Sequence, residues 1–423
     1  MFEPGLAGQP ELVVRWNDAF EVVHAVNRRR PDVITRFFKG SADAHPQLSC
    51  GFRFTVPLQV DRFELWVRVG LEAWLLGSVN TPPMEGPAGG ILKVLRGRNG
   101  WLFLDNDTNN SVDQFCGRLR LTPEGLGQWK SYLSGLGRLA HESGAATAML
   151  VAPSKESVLG EEYHPMAAGR LGPMDQILEL PEAGLIVHPE KELKALAAES
   201  FQQTDTHWTH KGALAGTRAL GQRLGIAPGD FDQCFAADKY RVATKVGDLG
   251  NKLNPPQSCE VEVLTSFRFQ AHRVYDNGLP NFGRVIVTRW DDALLDETCL
   301  VFGSSSSYSM FNYLARLFRY MVFVHSAGNV DASLLRACKP RYLITQTNAR
   351  FVAVVPSVGH SLAKDIQAKV CSLTDEQFDE LEKNQQMPDS NTLDELGLGQ
   401  CHEVLVAAMR KRFGMSDPGN HSS

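Results

Sequence analysis

The sequence predicts an α/β fold, a parallel sheet with helices on both faces, preceded by a small N-terminal β-sandwich. Three observations predict it. Short apolar runs such as Ala146-Thr147-Ala148-Met149-Leu150-Val151-Ala152, Cys299-Leu300-Val301-Phe302 and Tyr342-Leu343-Ile344-Thr345 alternate with segments of helical rhythm, as buried parallel strands do. Before residue 88 the pattern is different, with runs of period two. Between the two lies a Pro/Gly-rich stretch, Asn80-Thr81-Pro82-Pro83 and Gly86-Pro87-Ala88-Gly89-Gly90, which reads as a linker.

The elements follow in order. Residues 1–88 form a β-rich accessory unit. Leu12–Trp16 and Phe20–Val26 are β-type runs, while Phe52–Val56 and Phe63–Val69 alternate apolar with polar residues, the mark of half-buried strands. From about residue 91 strands and helices alternate. Trp101–Leu104 is a short strand. Thr122-Pro123-Glu124 caps a helix over 122–144. Ala146–Ala152 is a buried strand ending at Pro153. Leu185–Val187 precedes a helix near 190–200, and His210–Leu224 is another helix. Cys299–Phe302 is a strand, Ser309–Tyr320 a helix, and Met321–Val324 and Tyr342–Thr345 are further strands. Residues 235–298 break the rhythm with β-type residues and turns, which marks a β-rich insertion. From 359 to 423 the chain reads as a polar helical region, and residues 416–423 as a disordered tail.

Composition excludes several classes. At 423 residues the chain has room for two or three domains. It carries 43 basic and 48 acidic residues, a formal net charge of -5, with no basic face to suit nucleic acid. Arg28-Arg29-Arg30 reads as a solvated turn. The eight cysteines form no Cys-x-x-Cys pair, so a thiolate zinc site is not expected, and no metal or dinucleotide motif is present; free thiols are expected instead. There is no stretch of eighteen apolar residues and no secretory leader. The expectation is therefore a cytoplasmic protein, or a periplasmic one whose leader has been removed.

Two motifs carry the chemistry. In Val301-Phe302-Gly303-Ser304-Ser305-Ser306-Ser307-Tyr308, a strand runs into a serine turn and then a helix. A serine there sits at the carboxyl end of a strand beside helix N–H groups that favour an oxyanion. Alone, this is equally a serine-rich helix cap. In Thr204-Asp205-Thr206-His207-Trp208, an extended backbone would turn Asp205 and His207 to one side, as an acid orienting a base. Alone, this is better read as a helix N-terminus with a packed histidine.

Together they resemble a known family, the SGNH-hydrolase-like domain of the alginate O-acetyltransferases of the J and X type. The matching elements, in order, are Gly100-Trp101-Leu102-Phe103, Pro153-Ser154-Lys155, Asp205-Thr206-His207-Trp208 with Gly212-Ala213, Gly247-Asp248-Leu249, Gly303-Ser304-Ser305 and, loosely, Ala349-Arg350-Phe351. They span residues 91–358. The chain departs from the family at Ser304, where Asp or Thr is usual, and at Ala349, where the family has Glu.

The resemblance implies an SGNH-hydrolase-like, flavodoxin-like sheet and a triad of Ser305 as nucleophile, His207 as base and then acid, and Asp205 fixing the tautomer. Ser307 is the alternative nucleophile. Asn348, Lys155, Arg350 and Tyr308 are candidates for oxyanion or substrate contacts; His210 reads as helix surface, and His164 and His325 as turn or core residues. The implied function is a carbohydrate O-acetyltransferase or acetylesterase. It would bind no cofactor, would take acetyl-CoA or a partner-delivered acetyl group as co-substrate, and would belong to a polysaccharide-modification system. The N-terminal unit reads as a carbohydrate-binding or scaffold module. The alternative, motivated by Ser304 and Ala349, is a non-catalytic glycan-binding scaffold on a degenerate SGNH fold.

Overall fold

A computed structural model describes residues 9–38, 45–54, 56, 60–81, 94–107, 109–386 and 390–412. The linker expected at 82–90 and the tail at 416–423 lie outside the described residues.

The N-terminal unit contributes β1 (Glu11–Arg15), β2 (Phe20–Ala25), β3 (Arg62–Val69) and β4 (Glu72–Asn80). A hairpin of β5 (Val94–Arg96) and β6 (Leu102–Leu104) follows, and then β7 (Leu119–Leu121). The result is a five-stranded antiparallel sheet of order β4-β3-β1-β2-β7. Two expectations are corrected. The described residues contain one sheet here and no second sheet; Phe54, Val56 and Val60 from outside the strands cover Leu12, Val14 and Phe63. Residues 52–54 are not a strand, and the strand beside β3 is β4, whose side chains are mostly exposed. Arg28 makes an isolated bridge to Gly51, and Arg30 is held by Asp32.

The central sheet contains β8 (Ala146–Ala152) and β9 (Ile186–Val187). After a separate hairpin, β10 (Tyr240–Val246) with β11 (Ser258–Leu264), it gains β12 (Arg273–Asp276), β13 (Val285–Arg289), β14 (Leu295–Gly303), β15 (Phe318–His325) and β16 (Tyr342–Asn348). Its order is β12-β13-β15-β14-β16-β8-β9. The five strands from β15 to β9 are parallel, as expected. The other two, β12 and β13, run antiparallel and come from the expected insertion, so that segment is partly sheet edge rather than a separate lobe.

Successive residues of the parallel strands feed two cores, because side chains alternate across a strand. Met149, Val151, Leu300, Phe302, Val322, Val324 and Leu343 face one; Ala148, Leu150, Val301, Phe323 and Ile344 face the other. The first core is covered by the helix Pro123–Ser143 through Trp129, Leu133 and Leu136, and by the C-terminal helices through Leu362, Ile366, Phe378 and Leu405. The polar rhythm after 359 therefore conceals an apolar stripe that seals one face of the sheet. The second core is covered by the helices His210–Arg223, Pro228–Phe235 and Phe311–Leu317.

Thr122 caps its helix as expected, accepting a bond from Gly125 N–H. The helix expected over 309–320 is shorter. A 3-10 turn occupies Ser305–Met310, the helix covers Phe311–Leu317, and β15 begins at Phe318, where aromatic and β-branched residues suit a strand. No helix among the described residues is long and apolar enough to cross a membrane. All eight cysteines are free.

Candidate functional site

The site lies at the carboxyl ends of β8, β14 and β16, where open α/β sheets bind ligands. Asp205 and His207 stand on a turn rather than in the expected extended segment. The turn nonetheless brings them together. His207 Nδ1–H donates to Asp205 Oδ1 at 2.7 Å, and His207 N–H donates to the same oxygen at 2.8 Å. The other oxygen, Oδ2, accepts from Asp248 N–H at 2.9 Å. Burial opposes the charge on Asp205, but the hydrogen bond and charge of His207, with the N–H groups of Asp248 and His207, hold its carboxyl down to about 2. With Nδ1 committed to the carboxylate, Nε2 is the ring nitrogen available to another group.

Asp248, from the Gly-Asp-Leu element, is a site residue that the sequence reading quoted but gave no role. Its Oδ1 accepts from Thr206 N–H at 2.8 Å, and its Oδ2 accepts from the Thr206 hydroxyl. The signal was the glycine before it. A Cβ at Gly247 would collide with the Thr204 carbonyl and the Asp205 side chain, so only glycine lets the two loops meet. Asp205, His207 and Asp248 bring ligand-type atoms within 4.8 Å of one another. Each of their carboxylate oxygens already accepts an N–H or O–H bond from the loops that carry them.

Lys155 is neither exposed nor turned to a ligand. It is 3% exposed, and its ammonium donates to the carbonyls of Leu102 at 2.7 Å, Gln202 at 2.8 Å, Gln203 at 2.9 Å and Asp205 at 3.0 Å. It also lies 4.9 Å from the centre of the Trp101 ring. Desolvation pushes its amine down to about 7 against the pull of Glu156, Asp205 and Asp248. Gly-Trp-Leu-Phe, Pro-x-Lys and Asp-x-His-Trp, far apart in sequence, thus meet at one nitrogen. Its role is to position the Asp205–His207 turn.

The serine run sorts itself by burial. Ser304, Ser306 and Ser307 are buried, whereas Ser305 is partly exposed. The hydroxyls of Ser304 and Ser307 both donate to Gln346 Oε1, at 2.9 and 2.7 Å, and Ser304 N–H donates there at 2.8 Å. Gln346 is thus a second residue that the sequence did not reveal, and it holds the turn from below. Gly303 makes room for this, since a Cβ there would strike Ser307 Oγ and Phe323. The Ser306 hydroxyl accepts a 3.4 Å bond from Asn348 Nδ2. The helix His210–Arg223, which follows His207, packs on the Ser305–Met310 turn.

The remaining candidates fall as follows. Asn348 caps Arg350 N–H through Oδ1 at 3.0 Å. Tyr308 lies within the turn, but its hydroxyl reaches His325, 3.3 Å from Nδ1, and burial pushes its phenol up. His325 is 5% exposed. His164 is wholly buried against Phe103 and Phe115. His210 lies against the Tyr240 ring and 3.7 Å from Glu262.

The family described as "SGNH hydrolase-like domain, acetyltransferase AlgX" matches residues 94–322. No curated protein matches the chain. Among solved structures, the O-acetyltransferase domain of Pseudomonas putida AlgJ is similar at 17% identity, covering 69% of this chain and 99% of that one with a TM-score of 0.38. PatB1 of Bacillus cereus has 13% identity, with 62% and 97% covered and a TM-score of 0.43. AlgX of Pseudomonas aeruginosa has 16% identity, with 61% and 63% covered and a TM-score of 0.32. Over more than half its length, this chain belongs to the SGNH hydrolase-like, AlgX-type acetyltransferase family.

Proposed function

We propose that this protein transfers an acetyl group to a glycan hydroxyl through an acetyl-Ser305 intermediate. The observation that carries the reading is the pairing of His207 Nδ1 with Asp205 at 2.7 Å, ahead of a helix that packs on the serine turn, where of Ser304 to Ser307 only Ser305 is partly exposed. In the first step Ser305 Oγ attacks the donor carbonyl, His207 Nε2 takes the hydroxyl proton, and the donor's leaving group departs with that proton. In the second step a sugar hydroxyl gives its proton to His207 and attacks the acyl carbon, which returns Ser305 Oγ to the hydroxyl form. The oxyanion donors are the Ser305 N–H, at the first position of its turn where helical N–H groups lack an internal partner, and Asn348 Nδ2. Water in place of the sugar gives hydrolysis, so an acetylesterase differs from the transferase only in what reaches the acyl-enzyme. The donor is acetyl-CoA or an acetyl group delivered by a partner protein.

The test is hydrolysis of p-nitrophenyl acetate by wild type, Ser305→Ala, Ser307→Ala and His207→Ala. The reading expects Ser305→Ala and His207→Ala to lose at least about 10³-fold in rate and Ser307→Ala to keep most of its activity. An inactive wild type, or a Ser305→Ala variant that matches it, would overturn the triad and favour glycan binding without catalysis.

A further inference from the structure

A cavity of about 240 Å³ opens at the carboxyl ends of β8, β9 and β16, and the roles described so far leave it unused. It is lined in part by Phe115, Ser157, Glu156, Arg350 and His188. Ser154, Glu156 and Arg350 also line a narrow cleft that reaches Thr206 and Asn348, one on each side of the catalytic elements. The two spaces therefore share a wall, and the narrower one is bordered by Thr206, the residue between Asp205 and His207.

The wall is polar and incompletely paired. Glu156 is 4% exposed; its carboxyl accepts from Leu104 N–H at 3.4 Å and from its own N–H, and burial pushes it up. Arg350 Nε is buried with no partner among the described residues. The two side chains sense each other's charge but form no ion pair within 4.0 Å among the described residues. Buried polar groups are normally satisfied, and those that are not call for an explanation. Here a carboxyl held only by backbone N–H groups and a donor without a partner among the described residues belong to side chains that line the same space. A hydroxyl satisfies both, donating to Glu156 and accepting from Arg350. A ligand carboxylate would suit Arg350 but would add a second negative group beside the Glu156 carboxyl, whose ionised form burial already disfavours. The cavity is below the ~300–1,000 Å³ of sites for drug-sized molecules, which matches one sugar ring rather than several.

We infer that this cavity is the acceptor subsite: it takes one residue of a neutral glycan, with Glu156 and Arg350 holding a hydroxyl of that residue while a neighbouring hydroxyl reaches Ser305. The inference rests on the acyl-transfer reading for its role, but binding can be measured without turnover.

The test is calorimetric titration of cellohexaose, maltohexaose, chitohexaose and oligogalacturonate into the full chain and into Glu156→Gln. At least one neutral hexaose binds the wild type more tightly than oligogalacturonate does, and Glu156→Gln weakens that binding at least ten-fold. Should Glu156→Gln fail to fold, as judged by its thermal melt, Arg350→Met reads the same loss. The inference is overturned if no neutral hexaose binds, if oligogalacturonate binds best, or if the folded variant keeps wild-type affinity. Failure of p-nitrophenyl acetate hydrolysis with neutral-hexaose binding intact would sink the acyl-transfer reading alone, and the reverse pattern would sink the subsite alone.

Discussion

Replacing Lys155 with Met keeps the length of the side chain and removes its charge. In the native protein the ammonium holds four carbonyls within 3.0 Å. Gln203 O keeps a second donor, Leu102 N–H at 3.1 Å, and Gln202 O keeps a weak one, Asp205 N–H at 3.4 Å. Asp205 O has no other donor among the described residues. A buried acceptor left without a donor costs roughly 1–3 kcal/mol. The losses at Asp205 O and Leu102 O, with two partial ones at Gln202 O and Gln203 O, therefore amount to about 3 kcal/mol. At ~2 °C per kcal/mol for a large domain this lowers the melting temperature by about 6 °C. Asp205 O belongs to the residue that orients His207, so the turn also loses its anchor. A displacement on the order of 1 Å is enough for a loss of about 10²-fold. The assay is p-nitrophenyl acetate hydrolysis at a temperature where both proteins are folded, beside a thermal melt. Loss of rate in kcat, with KM little changed, marks a positioning defect. A variant that melts within 1 °C of wild type and hydrolyses the ester at the wild-type rate would refute the role given to Lys155.

Two further predictions address neighbouring groups. Asp248→Asn keeps the acceptor for Thr206 N–H but loses the one for the Thr206 hydroxyl, so hydrolysis should fall about ten-fold, roughly one hydrogen bond. Asp205→Asn, which favours the wrong tautomer, should fall by about 10⁴-fold; equal losses in the two variants would remove the distinction drawn between them. His325 reports on pH. Burial, then the charges of Arg284 and Lys369, lower its imidazole to about 4 from 6.5. Between these values the unfolded chain binds the proton and the folded chain does not, so this stability contribution is whole above pH 6.5 and is lost as pH falls toward 4. Acidification from pH 7 to pH 5 should cost about 2 kcal/mol through this residue. Urea unfolding of wild type and His325→Gln at both pH values measures it, and an equal pH dependence in the two proteins would rule it out.

Much of the parallel core was legible because its strands are apolar on both faces and their boundaries carry ordinary signals, such as the Thr122-Pro123-Glu124 cap. The Asp205–His207 pairing was legible only through the family resemblance, because the i, i+2 spacing presumed an extended segment and a turn delivers it instead. What the sequence hid are relations between distant segments. Lys155 finds its carbonyl partners 47 to 53 residues away, and nothing local tells such a lysine from an exposed one. Gln346 is just one polar residue in a buried strand until Ser304 and Ser307 converge on it from 42 and 39 residues away. The strand β4 escaped because Trp74-Leu75-Leu76-Gly77-Ser78 does not alternate and its side chains stay exposed. The C-terminal helices are polar on average, and their stripe of Leu362, Ile366 and Val370 gains its meaning only from the sheet face it covers.

The N-terminal sheet closes with β7, a strand that lies after the expected linker and just ahead of the long helix Pro123–Ser143. Val22 pairs with Leu119 and Phe20 with Leu121, and these four side chains join the same apolar cluster as Trp129 and Leu300. At the junction Ala19 O accepts from Thr122 N–H, and a Cβ at Gly125 would collide with that same carbonyl. The first eighty residues therefore serve as a foundation for the acyl-transfer body as well as an appendage to it. Cutting the chain at the linker would strip Leu119 and Leu121 of their strand partners and bare the flank of the principal helix. Evolutionary exchange of the N-terminal module is constrained in the same way: a replacement must offer a strand to β7 and a close-fitting turn to Gly125, whatever else it carries.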